Sequence, residues 1–144
     1  MSFNRNNLNI EWKDMSKTSN YFGNEKDFVS VSTKNSGRRV YVSSSVAGEY
    51  LTGKKYAQVG FDWEQKVMAI RPVEDYNPEV VKFFNGGSSD ISKSKTISCL
   101  SLIRDIANIS RQDKNTLVRY AVHWDNELKS LLVLLDEPLM EKDN

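Results

Sequence analysis

His123 and Cys99 are the only histidine and the only cysteine in the 144-residue chain. A Cys–His dyad for nucleophilic catalysis would have to use this one pair. A His–His or His–Cys zinc site cannot be assembled from one residue of each kind. Cys99 is therefore expected to fill a small gap in the core. The carboxylates recur in pairs, Asp62 with Glu64 and Asp125 with Glu127, which is the raw material of acid–base catalysis. Each pair, however, sits between a large ring and a lysine at a predicted hairpin turn. Turn chemistry and cross-strand pairing with Lys66 and Lys129 are the expected roles. Gly86-Gly87-Ser88-Ser89 lacks the Lys-Ser/Thr ending of a phosphate-cradling loop. No catalytic residue, metal ligand or cofactor is assigned, and the chain reads as a protein that is not an enzyme.

The basic residues offer a different chemistry. Net charge is only +1, so electrostatic attraction to a polyanion has to come from local clustering. Segment sums show such clustering: residues 28–55 carry +4, 56–91 carry −3, 92–124 carry +4 and 125–144 carry −4, while 1–27 balance. The candidate nucleic-acid contacts are Lys34, Arg38, Arg39, Lys54, Lys55, Lys93 and Lys95, with Arg104, Arg111, Lys114 and Arg119 adding to the second basic segment. The competing reading is that these are ordinary solvated charges. The aromatics Phe28, Tyr41, Tyr56, Phe61, Tyr120 and Trp124 fall mostly on apolar faces and are expected in the core. Trp63 instead takes a turn position, and an exposed Trp there is a candidate partner-binding anchor.

The elements that must carry these residues follow from periodicity and turn residues. Phe28 opens a strand, FVSVST, and Lys34-Asn35-Ser36-Gly37 supplies a turn whose Asn and Gly tolerate positive φ. RRVYVS returns. Ser43 to Ser45 are placed to cap a short helix with Val46, Ala47, Tyr50 and Leu51 on one face, ended by Thr52-Gly53. Tyr56 to Phe61 and Lys66 to Arg71 form a second hairpin, closed by Pro72. A polar connection follows, with a helical turn expected at PEVVKFF. Beyond it come a strand at Thr96–Cys99, a helical stripe of Leu102, Ile103, Ile106 and Ala107, and a hairpin of Leu117 to Trp124 with Lys129 to Leu135. Pro138 is expected to start a charged tail.

The second half echoes the first. At a shift of 63 positions, Asp125, Glu127 and Lys129 fall on Asp62, Glu64 and Lys66, and Trp124 falls on Phe61. At a shift of 56, Leu102, Ile103, Ile106 and Ala107 fall on Val46, Ala47, Tyr50 and Leu51. About seven extra residues are expected around Ser110–Thr116. The predicted fold class is α+β and β-rich: two pseudo-repeated hairpin–helix–hairpin units packed into one barrel- or sandwich-like domain. The boundaries are a polar arm over 1–27 with Trp12 as a pin, a first unit over 28–75, a flexible connection over 76–94, a second unit over 95–138 and a charged tail over 139–144. A two-fold relation between the units would let the two basic segments share one face.

The segment VSVSTKNSGRRVYVSSSVAGEYLTGKKYAQVGFDWEQKVMAIRP resembles the AbrB/SpoVT-like swapped-hairpin domains, which read strand, Gly-Arg turn, strand, short helix ending in Leu, then a hairpin. The chain is also similar to a set of small prokaryotic and phage proteins with an aromatic–Asp hairpin like RYAVHWDNEL. The resemblance implies DNA binding through the first hairpin, carried onto Lys34, Arg38 and Arg39. This chain has Val42-Ser43 where the AbrB pattern has Ile-Pro, and it holds both halves in one chain. Whirly-type single-strand binders also combine repeated hairpins with helices. The expected function is nucleic-acid binding of a phage or mobile-element type. The alternative is a phage-encoded interaction module that inhibits a host factor through its acidic segments and Trp63. Expected partners are DNA, duplex or single-stranded, or a host protein, with a homodimer left open and no membrane. The lone cysteine and the absence of a long apolar run suggest a cytoplasmic protein.

Overall fold

Val29 and Val31 stand directly across from Val42 and Val40, and all four are fully buried. Cross-strand apolar pairs of this kind set register, because a slip of one residue in β1 would put Ser30 and Ser32 in the places of the valines. The computed structural model describes residues 27–85 and 93–139. The expected arm with Trp12, the Gly86-Gly87-Ser88-Ser89 join and nearly all of the charged tail lie outside the described residues. β1 (Val29–Ser32) and β2 (Arg39–Val42) form the first hairpin. Its turn is closed by the Gly37 amide donating to the Lys34 carbonyl at 3.1 Å, and Gly37 does not use a positive φ. α1 (Ser44–Tyr50) follows from Ser43. Ser43 does not cap it through its side chain: the Ser43 Oγ accepts the Phe28 amide at 3.2 Å instead, tying the helix entry to the start of β1. Gly53, at φ +80°, takes the chain out of the helix.

The two long hairpins, β3 (Tyr56–Asp62) with β4 (Val67–Val73) and β8 (Leu117–Asp125) with β9 (Ser130–Pro138), turn in the same way. The Asp62 Oδ1 accepts the amides of Glu64 and Gln65 at 3.1 and 3.0 Å, and the Asp125 Oδ1 accepts those of Glu127 and Leu128 at 2.8 and 3.0 Å. These are Asx turns, as the acids' position suggested. The expected pairing with Lys66 and Lys129 is not seen: both lysines instead take left-handed backbone, φ 60° and 52°, to complete the turn. The ion pair found among the described residues is Lys54–Glu74 at 2.8 Å. Asp62→Ala and Asp125→Ala should each cost about 1 kcal/mol, because two amides lose one acceptor at a solvated site. Urea unfolding midpoints read this; losses of very different size would separate the two turns.

The connection after β4 was expected to hold a helical turn. It holds instead β5 (Val81–Lys82) and β6 (Phe84–Asn85), followed by β7 (Lys95–Ile97). The sheet order is β5-β3-β4-β9-β8-β1-β2-β7-β6, antiparallel throughout. β5 and β6 are its two margins, yet only Phe83 separates them in the chain. The segment 81–85 therefore pairs with β3 on one side and β7 on the other, and the nine strands make a nearly closed, barrel-like sheet. Closing the margins leaves few unpaired strand edges, which explains why a helical reading loses here. Pro72 does not end β4 but pairs with Ala57, at a point where β4 has already parted from β9. Pro138, expected to begin a tail, is the last residue of β9.

The core gathers the inward faces of the strands with one side of each helix: Val46, Ala47 and Leu51 from α1 and its end, and Leu102, Ile103, Ile106 and Ile109 from α2 (Leu100–Ser110), which packs against β1, β2 and β9. α2 has 11 residues where α1 has 7, and β8 has 9 where β3 has 7. Of the aromatics expected in the core, only Tyr120 is buried. Phe61 and Trp124 pack at its margin, Trp124 stacked on Tyr50 at 4.4 Å. Tyr56 meets the exposed Tyr76 edge-on. Phe28 and Tyr41 pair on the opposite sheet face, where Arg119 lies 4.6 Å over the Phe28 ring.

Candidate nucleic-acid interface

The apolar stripe of α2 faces the core, so its opposite stripe must face water. That outer stripe is Leu100, Arg104, Asn108 and Arg111, all exposed. Arg111 ends the helix in a left-handed conformation, φ 60°. The chain then folds back over β1. The Thr33 amide donates to the Thr116 carbonyl at 2.9 Å, and the Thr116 amide donates to the Thr33 Oγ1 at 3.0 Å. Gln112 sits at the centre of this junction. Its Nε2 donates to the Val31 carbonyl at 2.9 Å and to the Thr116 Oγ1 at 3.1 Å, while its Oε1 accepts the Tyr120 hydroxyl at 2.9 Å. Burial pushes the Tyr120 phenol above its ordinary pKa, so it remains a donor at neutral pH. Gln112→Ala removes the Tyr120 hydroxyl's acceptor and the side-chain bonds to the Val31 carbonyl and Thr116 Oγ1, and should cost about 2 kcal/mol. A thermal melt checks this; an unchanged melting temperature would show that the junction does not hold the loop.

Between α2, this loop and the β1–β2 turn lies a cleft of about 640 Å³. Ile103 and Ala107 are among its apolar lining, and Thr33, Asn35, Gln112 and Asn115 contribute polar groups. Three cations line it, Arg38, Arg104 and Lys114, against one carboxylate, Asp113. The Asn35 Oδ1 accepts from Arg38 Nη2 at 2.9 Å, and the Asn35 amide donates to the Asn115 Oδ1 at 3.4 Å. The second contact ties the two rims together, and the first orients the Arg38 guanidinium on the turn. From Leu100 to Asn108 the cleft follows α2 for about 12 Å at 1.5 Å per residue.

The seven basic residues singled out from sequence divide into two groups. Lys34, Arg38 and Arg39 sit at the β1–β2 turn, and of these Arg38 lines the cleft. Arg39 lies next to the inward Val40 and so points from the other side of the sheet, donating to the Gly37 carbonyl. Lys95 pairs with Val42, three residues along β2 from Arg39, and donates to the Asn85 Oδ1 at 3.3 Å. Lys93 lays its aliphatic chain over Gly48 of α1. Lys55 leads into β3, and its carbonyl accepts the Phe83 amide at 2.9 Å. Lys54 is taken by Glu74, whose carboxyl it holds below the usual range. The expected common face for Arg38, Arg39, Lys93 and Lys95 is therefore not formed, because β2 and β7 run antiparallel and carry their basic ends in opposite directions. The residues brought to Arg38 are Arg104 and Lys114. Sequence reading counted their charge without singling them out; the exposed spacing of 100, 104, 108 and 111 on α2 was the signal available.

Cys99 precedes α2 and packs against the core. His123 is in β8 beside Val122 and Trp124, which face that core, so it points from the opposite side of the sheet. The conceivable dyad is not assembled. Among the described residues no helix is long and apolar enough to cross a membrane. No family model, curated protein or solved structure matches the chain.

Proposed function

We propose that this protein binds nucleic acid in the cleft between α2, the β1–β2 turn and residues 112–115. The observation that carries the reading is the convergence of Arg38 from the first basic segment with Arg104 and Lys114 from the second, on one cleft with a single opposing carboxylate. Arg38 and Arg104 offer fork-shaped donors to phosphate oxygens, and Lys114 offers a point charge. Asn35, Asn108 and Asn115 supply neutral donors and acceptors for sugar or base edges. The resemblance to AbrB/SpoVT-like domains points to the same hairpin, through Arg38.

We also read the chain as two copies of one ββαββ unit. Exchanging β1-β2-α1-β3-β4 with 81–85-β7-α2-β8-β9 turns the β1–β8 pairing into β5–β3 and leaves β4–β9 and β2–β7 as pairings between equivalent strands. The matched Asx turns support the same reading. On this account the cleft joins the first copy's hairpin turn to the second copy's helix, and the longer α2 carries Asn108 past the point where α1 stops.

Fluorescence anisotropy with labelled oligonucleotides from 50 to 300 mM salt tests the proposal. Three phosphate contacts predict a log–log slope of about −2 to −3. Absence of binding at micromolar protein and 50 mM salt would overturn it.

A further inference from the structure

Trp63 is 55% exposed at the β3–β4 turn, while every other aromatic of the two long hairpins is buried or half-buried. One side of its indole rests on Phe61, at 4.9 Å between centroids and 31° between planes. It borders a shallow hollow of about 280 Å³ whose other lining residues are Lys66, Asn108, Ile109 and Arg111. Lys66 and Arg111 both take left-handed backbone, so each cation leaves a fixed turn rather than a loose strand end. Asn108 lines this hollow and also the larger cleft. The two are therefore consecutive stations on the outer stripe of α2. Arg104 and Arg111 are seven residues apart, about 10 Å of helix, the length of about three stacked nucleotides at 3.4 Å each.

We propose that Trp63 is a base-stacking shelf, and that the nucleic acid this protein takes is single-stranded. The proposal rests on the cleft being a nucleic-acid site. A strand whose phosphates follow Arg38, Lys114 and Arg104 reaches Arg111 and Lys66 next, and there meets an open aromatic face with cations beside it. Stacking on an indole requires an unpaired base that can turn out of its own helix, which a duplex does not offer without breaking a pair. The hollow has two cations and no carboxylate, so it suits the phosphate that accompanies such a base. Helix-end carbonyls of α2 oppose an anion here, and Arg111 and Lys66 offset them.

The test compares Trp63→Ala and Trp63→Phe with wild type on oligothymidine and on a duplex of the same length, with thermal melts to confirm folding. For Trp63→Ala, single-strand affinity should fall about tenfold or more, with duplex affinity and the salt slope unchanged. Trp63→Phe should recover most of the loss. Tryptophan emission of the wild type should be quenched by oligothymidine, and that quench should vanish in Trp63→Phe although Trp12 and Trp124 remain. Equal losses on both ligands, or no loss on either, would overturn the shelf while salt-dependent binding by the wild type leaves the cleft reading standing. A wild type that binds neither ligand would overturn both.

Discussion

Phe83→Ala is expected to lower stability by about 3–5 kcal/mol, the usual range for emptying a buried phenylalanine site. Phe83 is 5% exposed and belongs to the core. It is also the single residue between β5 and β6, so its side chain anchors the segment that joins the two margins of the sheet. A domain of this size has on the order of 5–15 kcal/mol in total, so the variant should be near the edge of folding. Urea unfolding followed by circular dichroism gives the size. Amide exchange gives the location: protection should fall first at Tyr56 and Ala57, which pair with β5, and at Lys95 and Thr96, which pair with β6. A loss under 1 kcal/mol would mean that segment 81–85 contributes little to closing the sheet. Lys82→Ala is the control on the same segment, since its side chain is exposed and lies 5.3 Å over the Phe84 ring; it should cost well under 1 kcal/mol.

Charge reversal in the cleft is expected to have the largest effect on binding. Each phosphate contact contributes a slope of about −0.7 to −0.9, and at 50 mM salt that amounts to about a factor of ten in affinity. Removing two contacts with Arg38→Ala and Arg104→Ala together should therefore weaken binding about 100-fold and make the salt slope shallower by about 1.5. Arg38→Glu with Arg104→Glu should abolish measurable binding, because a carboxylate then repels the phosphate that the guanidinium held. Both side chains are exposed, so stability should change little. Lys93→Ala with Lys95→Ala is the informative contrast. These lysines lie at the other end of the β2–β7 pair, and their loss should weaken binding less than threefold. If the Lys93 and Lys95 variant lost as much as the arginine variant, the binding surface would have to be moved to the Lys55, Lys82 and Lys95 side of the barrel.

Much of the local structure was legible before any coordinates. Val29, Val31, Val40 and Val42 alternate over short distances, and such alternation is decided by which residues the chain can bury within a hairpin. The turns at Asp62 and Asp125 were equally plain, because an Asp side chain reaches the amides two and three residues on without help from the rest of the fold. The amphipathic stripe of α2 was readable for the same reason. Where sequence reading failed, the deciding energy came from far away. PEVVKFF has enough apolar residues to suggest a helical turn. What makes it two strands is the presence of β3 and β7, each with a margin of amides and carbonyls left to pair.

The candidate site shows the same division. Composition and charge blocks alone located basic stretches at 28–55 and 92–124 and one turn-bound Trp63 that has no counterpart in the second hairpin. Which cations meet was decided only by the tertiary structure. Antiparallel pairing of β2 with β7 sends Lys95 away from Arg38, and the fold-back of residues 112–116 onto β1, held by Gln112 and Thr33, brings Lys114 and Arg104 to it. The physical reason is range. Alternation, capping and turn bonds act over a few residues and are written in them, whereas the meeting of charges distant in sequence depends on pairings that no single segment specifies.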